Sequence, residues 1–230
     1  MSSRKLTRVT KDKAMSLDIS TMLTVAIGQA PNHKHFLAHQ GIICARSAYF
    51  RRAMTLNTTE RQQRLFKFPD HDPEVFAIYF NFVYTNTIAT IQSDARKDDF
   101  AFGEEYTLLS KLYVLAGKLG DIAAKNATVE AILAVNNERD SKGFAYLPSA
   151  GAIKILYSGT PKTSRARLLY ADMWTSCNED KLAAARENLP PDFVWDLALA
   201  LRGERMDDGV SLARKAVKED GVGRYLEEVQ

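Results

Sequence analysis

The sequence predicts an α/β (α+β) fold in which a small, mostly three-stranded sheet is flanked by helices and helical hairpins and followed by an all-helical C-terminal extension. Three observations predict it. The β-prone run Met22–Ile27 stops at Gly28 and is answered by a second extended run, His35–Ala38. Asp72-Pro73-Glu74 opens an aromatic helix, with a capping side chain, a preset φ and an acid at the positive end of the dipole. From Leu108 onward, apolar residues recur mainly at helical intervals.

The chain has 230 residues, 46% hydrophobic and 26% charged, which is the balance of a soluble globular protein with one or two domains. It holds no run of about eighteen apolar residues that could cross a bilayer, so no membrane association is expected. The start, MSSRKLTRVTKDKAM, is basic but lacks the apolar stretch of a secretory signal, so an intracellular location is expected, cytoplasmic or nuclear. Cys44 and Cys177, each among apolar residues, are expected to be free and buried. The net charge of +3 is mild, and Arg4, Lys5, Arg8, Lys11 and Lys13 concentrate much of it in a basic, flexible tail over residues 1–17. Without a basic face or a recognition element, nucleic-acid binding is not expected.

Along the chain, Ala30-Pro31-Asn32-His33 reads as the turn of the hairpin. Ile42, Ile43, Ala45, Ala48, Tyr49 and Ala53 follow at helical spacing, and Ser47 can cap a second short helix within that run. Leu65–Phe68, bounded by polar residues and Pro69, is a short third strand suited to a sheet edge. The helix from Asp72 should reach about Tyr84. Val75, Phe76, Tyr79, Phe80, Phe82 and Val83 cover most of its circumference, so it should be buried on more than one side. Ile88–Ile91 is a candidate short strand, and Ser93–Asp99 a mobile charged loop. Leu108, Leu112, Leu115 and Leu119 then stripe a helix that stops at Gly120. Asp121 caps its successor, lined by Ile122, Val129, Ile132 and Leu133.

The polar run after Val135 marks a join. Three more helices are predicted, over about 149–157, 164–177 and 191–203. Ala166, Leu169, Tyr170 and Met173 point inward from the second, and Val194, Leu197, Ala198 and Leu201 from the third. Beyond Glu204 the chain is charged and interrupted by glycine, so a helix there would be marginal alone. The expected layout is therefore a basic tail (1–17), an α/β domain (18–136), a linker (137–148), a helical extension (149–203) and a charged tail (204–230).

Candidate chemistry is sparse. His33, His35 and His39 have a spacing that could offer imidazoles to zinc, yet the first two sit at a turn and no carboxylate is placed behind them. His39 is better read as a residue that caps or hydrogen-bonds at a helix start. Cys44 lies near His39, but aliphatic neighbours should raise its pKa and keep it inert. Asp70, Asp72 and Glu74 near His71 are accounted for by capping and solvent. No phosphate-loop, dinucleotide or nucleophile-elbow motif is present. The expectation is no enzyme, no cofactor and no metal.

The stretch Phe36–Arg51, with a strand running into His39, then Ile42, Ile43, Ser47 and Phe50, resembles the first phrase of the BTB/POZ domain family. Asp72, Pro73 and Phe76, ending at Tyr84-Thr85, resemble the second. Leu109–Asn126, carrying Leu112, Leu115 and Leu119, resembles the last. Together they cover roughly residues 20–135, and with the Leu189-Pro190-Pro191 segment the whole is similar to BTB-domain proteins of filamentous fungi. The resemblance implies a BTB/POZ fold and a protein-interaction role: homo- or hetero-oligomerisation, a possible homodimer, and substrate adaptation on a cullin-type ubiquitin-ligase scaffold.

Two departures qualify it. Ser20-Thr21 stands where relatives carry an acid, and the apolar N-terminal helix used for strand-exchanged pairing is replaced by the basic tail. An alternative is a nuclear, transcription-associated factor that uses that tail and would bind with steep salt dependence. A remoter one is a metal-dependent enzyme.

Overall fold

In the computed structural model, β1 (Met22–Ile27) is the central strand of a three-stranded mixed sheet of order β2-β1-β3. It runs antiparallel to β2 (Lys34–His39), with Thr24 opposite Leu37, and parallel to β3 (Leu65–Phe68), with Thr24 also opposite Leu65. The structure describes residues 17–31, 33–56, 58–91, 99–140, 142–203 and 212–228, and it divides into two compact units, Met1–Pro73 and Glu74–Gln230. The basic tail up to residue 16, most of the expected charged loop (92–98) and residues 204–211 lie outside the described residues.

In the first unit, alternation along β1 sends Leu23, Val25 and Ile27 inward and leaves Met22, Thr24 and Ala26 half-buried on the other face. The hairpin turn contains a cis Ala30–Pro31 bond. Helices α1 (Gln40–Arg46), α2 (Ala48–Thr55) and α3 (Thr59–Gln63) cross from β2 to β3. Ser47 divides α1 from α2, as its spacing predicts: its hydroxyl accepts from the Phe50 amide at 3.3 Å, fully buried. Helix α3, which apolar spacing does not predict, is capped by Thr58 and ends at Arg64, a left-handed residue (φ 52°). The Arg64 guanidinium donates to the Met22 carbonyl (2.8 Å) and to Gln40 (3.0 Å), tying α3 to the sheet. Phe50 packs edge-on against Phe66 at 4.9 Å, and Tyr49 lies over Phe68 at 5.5 Å.

Helix α4 (Pro73–Thr85) buries seven residues, among them Phe76, Tyr79, Phe80 and Phe82, so it is apolar almost all round as its composition requires. The strand expected at Ile88–Ile91 does not form. Asn81 donates to the Thr87 carbonyl (2.7 Å), and the Thr85 hydroxyl accepts from the Thr87 amide (3.1 Å). Local side chains thus bind the backbone of the residue just before that stretch.

The second unit is then built on α5 (Asp99–Leu119), α6 (Ile122–Asn137), α7 (Ala150–Gly159), α8 (Arg165–Trp174), α9 (Glu179–Ala185), α10 (Pro191–Gly203) and α11 (Leu212–Asp220). Asp121 caps α6 through the Ala124 amide (2.9 Å), Ser149 caps α7, and Asn178 caps α9, a short helix that apolar spacing does not predict. One apolar cluster holds residues of α5, α6, α7, α8 and α10 together with Ala213 and Tyr225. The join expected at 137–148 falls inside this unit, with cluster residues on both sides of it. Arg167, nearly buried, donates to the carbonyls of Tyr157 and Thr160 and fixes the corner between α7 and α8. Among the described residues no helix is long and apolar enough to cross a membrane.

Candidate interaction surfaces

The residues singled out by sequence fall into three groups. His39 ends β2 at the N-cap of α1, where its side chain makes no capping hydrogen bond, so of the two roles expected of it, capping or hydrogen bonding at the helix start, capping is not seen. Ile42, Ile43, Ser47 and Phe50 are buried in the first unit, and Pro73 opens α4 after half-buried Asp72. Phe76, Leu112, Leu115 and Leu119 are buried, whereas Tyr84 is 38% exposed at the end of α4. These are positions that shape a fold, and of them Tyr84 is the one exposed to solvent.

His33 and His35 are exposed with rings 5.5 Å apart, and among the described residues no group of three or more His, Cys, Asp or Glu is placed to share a metal ion. Cys44 and Cys177 are free but only half-buried, each at the margin of a packed region and not inside it. Burial still pushes both thiols up, against the opposing charges of Arg51 and Lys181 respectively, which leaves them as poor nucleophiles.

Two apolar faces meet solvent. On the outer side of the sheet, Leu37 (64% exposed), Thr24 and half-buried Leu65 form one cross-strand row, with exposed Leu17 and Ile19 just before β1. On α10 the face presented is not the expected one. Leu197 points inward as expected, but with Phe193, while Val194, Trp195 (66%), Ala198, Leu199 and Leu201 are exposed. The rotation follows from Asp196, which accepts from the Tyr157 hydroxyl at 2.9 Å and so draws an acid toward the core. The second unit also carries an open groove of about 960 Å³, whose apolar side is Leu108, Tyr146, Pro148 and Trp174 and whose charged lining includes Lys111 and Lys181. The groove and the two apolar faces suit peptide or protein contact.

The charged tail beyond residue 211 is another surface that sequence reasoning missed. Residues 212–228 pack on the second unit, with Tyr225 fully buried and its hydroxyl donating to Asp172 at 2.9 Å. Asn126 holds Glu227 by both backbone groups, accepting from its amide at 2.7 Å and donating to its carbonyl at 2.9 Å. The one available signal was aromatic Tyr225 amid charge.

No curated protein matches the chain. Residues 18–106 match the family model of the BTB/POZ domain. That match takes in the whole sheet, α1 to α4 and the first turns of α5, in line with the small mixed sheet and surrounding helices described above. BTB/POZ domains are typically protein–protein interaction modules, and residues 18–106 of this chain are similar to that family.

Proposed function

We propose that this chain acts by binding other proteins, without catalysis of its own, and that its BTB/POZ part either self-associates or docks on a cullin-type ubiquitin-ligase scaffold. The helical C-terminal part then shapes that surface or recruits a target. The observation that carries the reading is the family match over residues 18–106, in a region that keeps Leu37 of β2, and Leu17 and Ile19 just before β1, in solvent. An apolar row of that kind is stabilised when a partner covers it.

Light scattering on size-exclusion-purified protein, alone and with a cullin N-terminal domain, tests the proposal. A dimer supports self-association, and a monomer whose mass rises only with the cullin domain supports the adaptor role. A monomer in both mixtures overturns both versions.

A further inference from the structure

Residues 222–228, a 3-10 turn over Val222–Tyr225 that leads into extended Leu226, sit on α5, α6 and α8 in the manner of a bound peptide. Glu227 is read three ways: Asn126 pairs with its amide and carbonyl, Lys125 donates to its carboxylate at 2.8 Å, and the Tyr113 hydroxyl donates to the same oxygen at 2.9 Å. Two residues earlier Tyr225 fills a closed pocket, with its hydroxyl on Asp172. Arg224 pairs with that same Asp172 oxygen at 3.3 Å, and its carbonyl accepts from Arg165 at 3.1 Å. Asn126 is the sequence-neutral element, because one carboxamide can satisfy a donor and an acceptor on an extended backbone. Lys125, Tyr113 and Asp172 are the selective ones. Val222 and Leu226 are only partly buried, so one aromatic anchor and a set of polar contacts hold the segment. An anchor in a pocket with addressed polar neighbours is how a groove recognises a short motif.

We propose that this seat is a peptide-docking groove which accepts, in trans, a segment of a protein partner carrying Arg-Tyr-x-Glu, its Arg-Tyr in a 3-10 turn like that of the resident segment, in competition with the chain's own residues 224–227. The seat is made by residues of α5, α6 and α8 and not by those of the two apolar faces, and it adds a defined ligand chemistry to the interaction role. Its occupancy is measured by peptide binding and not by mass, so it can fail while self-association or cullin docking stands, and the reverse.

The test uses the full-length chain and a fluorescein-labelled peptide of residues 221–228, followed by anisotropy. In the wild type the resident segment competes, and apparent affinity is reduced by the fraction of molecules whose seat is open. Glu227→Ala removes the Lys125 and Tyr113 contacts in cis and leaves the groove intact, so the peptide should bind roughly tenfold more tightly than to wild type. Adding Asn126→Ala to that variant should cancel the gain, and a peptide with its tyrosine replaced by alanine should not bind. Equal, weak binding of the native and scrambled peptides to a Glu227→Ala chain with wild-type circular dichroism overturns the proposal. Should that variant not fold, hydrogen exchange on the wild type decides. Amides of 222–228 exchanging through an opening that leaves α5 and α6 protected support it, and exchange only with global unfolding overturns it.

Discussion

Asp121 accepts from two different elements, the Ala124 amide at 2.9 Å and the Tyr79 hydroxyl at 3.3 Å, while almost wholly buried. Asp121→Ala removes a helix cap, about 1 kcal/mol, and takes an acceptor from a buried phenol, about 1–3 kcal/mol more. The expected loss is about 2–4 kcal/mol by urea unfolding, with Asp121→Asn recovering most of it; an alanine variant as stable as wild type would show that the cap carries no weight. This cap was legible in sequence because it follows Gly120, which takes the left-handed φ of 65° that ends a helix. Ser47 was legible for a similar local reason. Partners far apart in sequence were not: Ser110 and the Tyr170 hydroxyl lie 2.7 Å apart in the core, sixty residues from one another along the chain, and nothing local in either stretch announces the pair.

Helix α10 shows how far spacing carries at the scale of an element. Its start after Pro190 and its end at Gly203 were readable, but its inward face was not, because apolar residues occur on every side and one acid, Asp196, turns toward Tyr157. Phe193 meets Tyr157 and Trp174 edge-on at 5.5 Å each, so Phe193→Ala should cost about 3–5 kcal/mol in denaturant unfolding. Trp195→Ala should stay within about 0.5 kcal/mol of wild type, and acrylamide should quench Trp195 while sparing Trp174. A large loss at Trp195 would mean that the exposed face is covered. Glycines give a second contrast. A Cβ at Gly159, the last residue of α7, would come within 2.5 Å of both Val114 methyls on α5, and valine is stiff at χ1. Gly159→Ala should therefore destabilise by about 1–3 kcal/mol, whereas Gly117→Ala, in open space on α5, should stabilise by about 0.5–1 kcal/mol; matching thermal shifts for the two would contradict the close approach.

At the scale of the whole molecule, the larger unit is closed by a segment whose hold depends on charge. Burial works to raise the pKa of Glu227, but hydrogen bonds from Lys125 and Tyr113, with the charges of Lys125 and Arg165, outweigh it and keep the carboxyl below its ordinary range. A carboxyl whose pKa is lower folded than unfolded contributes stability that is fully present above the unfolded value, about 4.3, and is lost as pH falls through the folded one. Glu227→Gln keeps the shape and discards the charge, so it should be less stable than wild type at pH 7, and the difference should shrink below about pH 4 as Glu227 protonates. Urea midpoints for the two proteins from pH 7 to pH 3 read this directly, and a gap that stays constant across the range would remove the charge from the account. The sequence shows the tail as charged and broken by Gly221 and Gly223, features of a segment that does not fold alone. Its seat is assembled from Tyr113, Lys125, Asn126 and Asp172, spread over sixty residues of three helices. Only the packing of those helices brings them to one groove, so the segment's place, and its dependence on pH, come from the tertiary structure and not from its own residues.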